Sequence, residues 1–519
     1  MAVKDNIATS GLPTTCASAI LQKHQSPFQA GVVEQLRGFG ASIIGKTNLD
    51  EFGMGSHTLN SFFGEVTNPP PLDQFSAGGS SGGSAVAVAT QRCDVALGTD
   101  TGGSVRLPAA YSGVVGFKPS YGMISRWGVV PYANSLDTVG ILARSSKQVL
   151  QTFRSINKPD PRDPTCLTEK TRNRIRNQQK QAPGKQKETM IKKDEFGKLR
   201  IGVPIEYKVQ PERIRRAWKH TLMLLEEQGC TIVPVSLPNT MNALGAYYVL
   251  APAEAASNLS KYDGVRYGTR SGSTDGAGDV LYSNSRGEGF GDEVKRRILL
   301  GSYALSSTAI DNYFIKAQKV RRLVQRDFDR IFSVPNPLRD PEHFDLSEMD
   351  ESIPLDSKLG PAQVDVIVCP TSPIPAPKVN YVDTETFVDT YLNDMFTVPA
   401  SLAGLPAISI PLERFHIGKE GLRYDGMQII GQYADDFRVI GVAHKLEQLF
   451  KADRQNWERT QKESKKYISE GEWLERLKEN LVRHITPGYE YADNFRPRAG
   501  ENRTRQSIIQ RTPQENSTP

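Results

Sequence analysis

The stretch SAGGSSGGSAVAVATQRCDVALGTDTGGSVRLPAA, Ser76 to Ala110, gathers hydroxyls and glycines and then places Asp100 and Arg106 behind them. Three chemistries could use such a segment. A flexible linker lacks apolar pattern, yet Ala85 to Ala89 follow the glycines at once, as in a buried helix. A phosphate loop needs a lysine after its glycines, and this stretch holds none. Nucleophilic catalysis fits better, but a serine hydroxyl attacks poorly until a base takes its proton. None of the seven histidines sits in a catalytic-looking motif, and His57 in FGMGSHTLN reads as a satisfied loop histidine. A lysine can be the base if burial holds it neutral. Lys4, in AVKDNI between an apolar strand and a turn, is the candidate, although a strand-edge lysine alone is ordinarily solvated. Asp100 and Arg106 read as an internal ion pair that holds the loop.

The elements that must position these groups alternate between helix and short apolar strand. A helix in FQAGVVEQLRGFG is followed by a strand expected at Ala41 to Ile44. Further strands are expected in DVALGTD, SGVVGFKPSYG, LRIGVP, CTIVPVSL, VDVIVCP (364–370), LPAISIPL (405–412) and GMQIIGQ. Helices are expected from Pro211 to Gln228, with proline at the start and Gly229 after the end, and from Asp436 to Leu449. This is an α/β pattern.

Composition narrows the classes. No run of about 18 apolar residues occurs, which argues against a membrane-spanning helix. The five cysteines (Cys16, Cys93, Cys166, Cys230, Cys369) form no CxxC pair, so neither a disulfide framework nor a zinc site is expected. The net charge is +6, but Lys170 to Lys193 alone carries +8, leaving −2 for the remainder. A broad nucleic-acid face is therefore not supported. One domain is expected over 1–493, interrupted by a basic disordered insertion at about 157–198 and an acidic one at about 336–360, with a disordered tail at 494–519.

GGSSGG, GTDTGGSVRLPA and the upstream VKDNI, with Ser80 and Ser104 separated by 24 positions, resemble the amidase signature family. The resemblance implies that family's fold, a large mixed β-sheet covered by helices on both faces. It also implies a Ser–Ser–Lys triad: Ser104 as acyl-forming nucleophile, Ser80 as relay on a cis peptide bond, and Lys4 as general base. The N–H groups of Thr101, Gly102 and Gly103 would form the oxyanion hole.

TNLDEFGMGSHTLNSFFGEVTNP, GFGDEVKRRILLGSYALSS and YLNDMFTVPASLAGLPAISIP resemble, within that family, the A-type subunits of glutamyl-tRNA(Gln) amidotransferases. That likeness implies a glutaminase passing ammonia to a partner that amidates Glu-tRNA(Gln). It implies Arg297 for the substrate carboxylate, Asp394 for its ammonium and Tyr247 as a lining residue, with neighbouring Tyr248 one place away. Arg297 has an ordinary alternative, a surface pair with Glu293. The implied partners are a B-type subunit and a small third subunit of C or F type. The implied setting is the mitochondrial matrix, and the two insertions suggest a fungal-type chain. No cofactor or metal is expected in this subunit, and ATP and Mg²⁺ are expected to be used by the complex. Family chains carry more residues ahead of the lysine motif, so a truncated start is expected, with a first strand too short to keep Lys4 from solvent. The rival expectations are a stand-alone amidase of small or fatty amides and a catalytically impaired scaffold.

Overall fold

The computed structural model describes residues 1–181, 193–209, 211–272, 281–339, 363–382, 387–412 and 424–463. Met1–Gln455 form one compact unit, and of the second, Asn456–Pro519, only the helical residues to Glu463 are described.

Ten strands form one mixed sheet in the order β2-β1-β3-β5-β4-β9-β10-β8-β6-β7. They are β1 (Ala2–Lys4), β2 (Gly45–Thr47), β3 (Val95–Asp100), β4 (Val115–Lys118), β5 (Thr138–Ala143), β6 (Arg200–Pro204), β7 (Thr231–Val235), β8 (Val366–Pro370), β9 (Ala407–Pro411) and β10 (Gly426–Gly431). Pairing is parallel at both ends of the sheet and antiparallel from β3 through to β8.

Strand residues alternate between two buried faces, as a covered sheet requires. Ala2, Ala96 and Leu142 pack with Ala85 and Val88 of the helix Gly82–Ala89, with Ala109 of the helix Arg106–Ser112 and with Val105 just before it. Val3, Leu97 and Ile141 belong to the main core, with Val149 and Phe153 of the helix Ser146–Ile156. Lys4 has the parity of Ala2, so it faces the helix that follows the glycine-rich loop.

The expected strand at 41–44 lies instead at Gly45–Thr47, because its partner sets the register: Ala2 faces Gly45 and Lys4 faces Thr47. The short first strand does not release Lys4 to solvent. β1 is held on both sides by parallel partners, and Lys4 is 0% exposed. Part of the segment 157–198 expected to be disordered is structured. Helices cover Glu169–Gln181 and Lys193–Phe196, and buried Arg172 donates to the carbonyls of Leu167 and Met123. Its centre, 182–192, lies outside the described residues, as do most of the acidic insertion and the 494–519 tail. All five cysteines are buried and free. No described helix is long and apolar enough to cross a membrane.

Candidate active site

β1, the glycine-rich loop and the loop after β3 converge on three hydroxyl-bearing side chains and one amine. Lys4 Nζ lies 2.8 Å from Ser80 Oγ, 2.8 Å from Ser81 Oγ and 3.4 Å from the Thr99 carbonyl. Burial pulls Lys4 from its ordinary 10.5 down to about 7, against the carboxylates of Asp50, Asp100 and Asp137, which pull it up. Near neutral pH much of this lysine is therefore an amine with two N–H donors and one lone pair. Ser81 Oγ donates to the Thr99 carbonyl at 3.3 Å, so towards Lys4 it acts as an acceptor. Ser81 and Thr99 thus take the two N–H groups, and the lone pair faces the Ser80 hydroxyl. Neither Ser81 nor Thr99 stood out in the sequence as a partner of Lys4. Their role follows from the parallel register that sets β1 beside β3.

The peptide bond Gly79–Ser80 is cis. Ser104 stands across from this loop, 8% exposed, and the Ser81 N–H donates to its carbonyl at 3.1 Å. No hydrogen bond joins the Ser80 and Ser104 hydroxyls among the described residues. The N–H groups of Gly102 and Gly103 likewise donate no hydrogen bond among the described residues, while Thr397 Oγ1 donates to the Gly102 carbonyl at 2.7 Å. Thr101 Oγ1 donates to Asp137 at 2.7 Å. The loop has room only for glycine: a Cβ on Gly103 would stand 2.3 Å from Thr397 Oγ1, and one on Gly102 would stand 2.8 Å from Tyr247 Oη.

Asp100 and Arg106 form the expected internal pair, both 0% exposed, through contacts of 2.9 and 3.0 Å. Arg106 also donates to Thr397 O, Gln428 Oε1 and Ser401 Oγ, which leaves the guanidinium satisfied. Burial pushes Asp100 up, but the charge and hydrogen bonds of Arg106 outweigh it and hold the carboxyl below its usual range. His57 is 2% exposed and hydrogen-bonded at both ring nitrogens, the satisfied loop histidine expected.

A second group of charges lies beside the loop. A Cβ on Gly103 would stand 3.1 Å from Asp394 Oδ1, which places that carboxylate against Ser104's neighbour. Asp394 accepts from Ser56 Oγ at 2.7 Å and from Tyr248 Oη at 3.3 Å. Burial pushes it up to about 7, opposed by Ser56, Arg297 and Tyr248. The Arg297 guanidinium lies 5.4 Å from the Tyr248 ring and 5.5 Å from the Tyr391 ring, and those two rings stack at 3.8 Å. Arg297 donates to Tyr132 Oη at 2.6 Å and to Glu293 at 2.8 Å. The Glu293 pair therefore forms, but it is buried, with side-chain exposures of 3% and 8%, unlike an ordinary surface pair. The two tyrosines divide the work: Tyr247 packs on Gly102, while Tyr248 bridges Asp394 and Arg297.

A family model described as Amidase matches residues 1–440. The chain belongs to the amidase family. Among curated amidase relatives, the mitochondrial A-type subunit of the Fusarium vanettenii glutamyl-tRNA(Gln) amidotransferase is 57% identical over 455 residues, 86% of this chain and 86% of its own. Its counterpart in Neurospora crassa is 51% identical, covering 86% of this chain and 89% of its own. Among solved structures, the A-type subunit of the Thermotoga maritima glutamyl-tRNA(Gln) amidotransferase is similar with a TM-score of 0.62 and 35% identity, covering 85% of this amidase and 81% of that chain. Kluyveromyces lactis allophanate hydrolase is similar at 25% identity and a TM-score of 0.63, covering 86% of this chain and 61% of that one.

Proposed function

We propose that this amidase is the glutaminase subunit of a mitochondrial glutamyl-tRNA(Gln) amidotransferase. The observation that carries the reading is the pair of buried opposite charges, Arg297 and Asp394, set beside a serine loop whose relay hydroxyl faces a lysine lone pair. A free amino acid has a carboxylate and an ammonium to match them, and a guanidinium suits a carboxylate well. A simple aliphatic amide has neither.

Lys4 takes the Ser80 proton while Ser80 takes that of Ser104, once Ser104 Oγ rotates towards it. Ser104 Oγ attacks the side-chain amide carbon of glutamine. The developing oxyanion is received by the N–H groups of Gly102 and Gly103, with Thr101 flanking them; one such donor is worth roughly 10²–10³ in rate. The proton returns to the departing nitrogen, ammonia leaves, and water then cleaves the acyl ester to release glutamate and restore Ser104. Ammonia passes to the B-type partner, which uses ATP and Mg²⁺ to activate Glu-tRNA(Gln). A small third subunit, of C or F type, completes the complex.

The decisive assay compares glutamine with a panel of aliphatic amides on the full chain, with and without its partners. Glutamine hydrolysis that disappears in Ser104→Ala is expected. Turnover of the panel without any turnover of glutamine would leave a stand-alone amidase. A phosphonate directed at the active site is expected to label Ser104, and failure to label it in the assembled complex would leave a scaffold.

A further inference from the structure

Ser56, His57 and Thr58 take no part in the steps above, yet all three are buried, at 3%, 2% and 0% exposure. Each reaches a different part of the site. Ser56 Oγ donates to Asp394 Oδ2. Thr58 Oγ1 donates to the Gly78 carbonyl at 2.7 Å and accepts from the Gly82 N–H at 3.0 Å, so it grips both ends of the turn that carries Ser80. His57 spans the gap between these two regions. Its Nε2 lies 3.1 Å from Asn393 Nδ2, and its Nδ1 lies 2.8 Å from Ser76 Oγ. Ser76 Oγ in turn accepts from the Gly78 N–H at 3.0 Å.

The hydrogen-bond pattern fixes the ring. Asn393 Nδ2 also donates to the Thr390 carbonyl, and its Oδ1 faces the Tyr111 hydroxyl, which sets the amide orientation. An amide nitrogen only donates, so Nε2 accepts, and the proton sits on Nδ1 and points at Ser76. Burial lowers His57 to about 4, so this tautomer persists at neutral pH. The ring is a rigid strut between Asn393, next to Asp394, and the turn that leads to Ser80.

We propose that Ser56, His57 and Thr58 are positioning residues that couple occupancy of the ammonium subsite at Asp394 to the placement of the relay serine Ser80. The inference rests on the reading of Arg297 and Asp394 as the site for a zwitterionic head group. An arriving ammonium holds Asp394 ionised and turns the Ser56 contact into a charge-assisted bond, a differential interaction that an uncharged substrate end cannot supply. The α-ammonium is then read in kcat as well as in KM, because it helps set the geometry of the reacting groups.

The test compares glutamine with glutaramate, the same amide and carboxylate without the α-amino group, on the full chain assembled with its partners. The wild type is expected to turn over glutamine faster at saturation. In His57→Leu and in Ser76→Ala, kcat for glutamine is expected to fall about tenfold while kcat for glutaramate stays within about twofold. Ser76→Ala removes one hydroxyl only, and it keeps the question open to test if the larger change impairs folding. An equal fall for both substrates would mean simple structural support and overturn the coupling. So would an effect confined to the KM for glutamine, or no effect at all. A wild type that turns over glutaramate as fast as glutamine but with a higher KM overturns the coupling and keeps the head-group site, whereas equal kcat and equal KM for the two substrates remove the head-group reading itself.

Discussion

Lys4 and Lys118 are both buried, at 0% and 1% exposure, and burial brings each to about 7. Their surroundings differ in one respect. Lys118 Nζ donates to two backbone carbonyls, those of Pro119 and Leu405. A carbonyl has no proton to give, so Lys118 is a donor only. Lys4 meets one carbonyl and two hydroxyls, and one of those hydroxyls has its hydrogen free to turn towards the nitrogen. A lowered lysine pKa therefore does not mark a base. What marks it is a proton-bearing partner on the lone-pair side, next to a serine loop with unused N–H donors.

The most forceful way to break this contrast is to replace each lysine by an apolar side chain of similar length. Lys4→Met is expected to lower kcat for glutamine by about 10³, within the range general-base catalysis supplies. Lys118→Met is expected to leave kcat within about threefold, since it removes no proton acceptor from the serines. Glutaminase assays on the two variants, normalised to folded protein by circular dichroism, decide it. Comparable losses in both would mean that Lys4, too, acts only by holding the fold.

A smaller effect separates the proposed base from the proposed head-group site by pH. Lys4 must be neutral to accept a proton, and burial sets it at about 7. Asp394 must be ionised to hold an ammonium, and burial sets it also at about 7. Both requirements fail as pH falls, so log kcat/KM for glutamine should drop with a slope approaching two below about pH 6.5. Glutaramate has no ammonium and needs only the lysine, so its slope should approach one. Equal slopes for the two substrates would remove Asp394 from amine recognition.

How legible each part was follows from how local it is. The serine loop could be read because GGSSGG and GTDTGGSVR are each an unbroken run, with glycines demanded by close approach to Pro108, Asp50, Thr58 and Asn48 in the first and to Tyr247 and Thr397 in the second. Arg297 and Asp394 could be placed only through resemblance, since a helix with Glu293 and Arg297 looks alike in sequence whether it faces water or the core. Ser81 and Thr99 went unread because their role exists only once β1 lies parallel to β3. β5 (Thr138–Ala143), buried on both faces between β3 and β4, shows no polar alternation that would mark it as a strand. Order at Glu169–Gln181 was hidden by its charge, because the buried arginine that anchors it satisfies its donors on carbonyls such as Met123 O, 49 residues away.

The smallest expected effect brings the two lysines back together. In the unfolded chain each holds its proton up to about 10.5, whereas in the folded chain each releases it near 7. Between those values the unfolded state binds more protons, so each lysine makes stability rise with pH by about 1.4 kcal/mol per unit. The groups facing Lys118 are Arg106, which reinforces the shift, and Asp100 and Asp436, which oppose it. Urea unfolding at pH 7.5 and 8.5 should therefore show a shallower rise in Lys118→Met than in the wild type, by about 1 kcal/mol over that interval. Lys4→Met should lose a similar increment. Other titrating groups are common to all three chains and cancel in the difference. Two variants that match in this slope and differ about 10³-fold in turnover would show that the same proton is a burden on folding at both sites and a reagent at only one. Unchanged slopes would mean that both lysines stay protonated when buried, and the lone pair assigned to Lys4 would not exist.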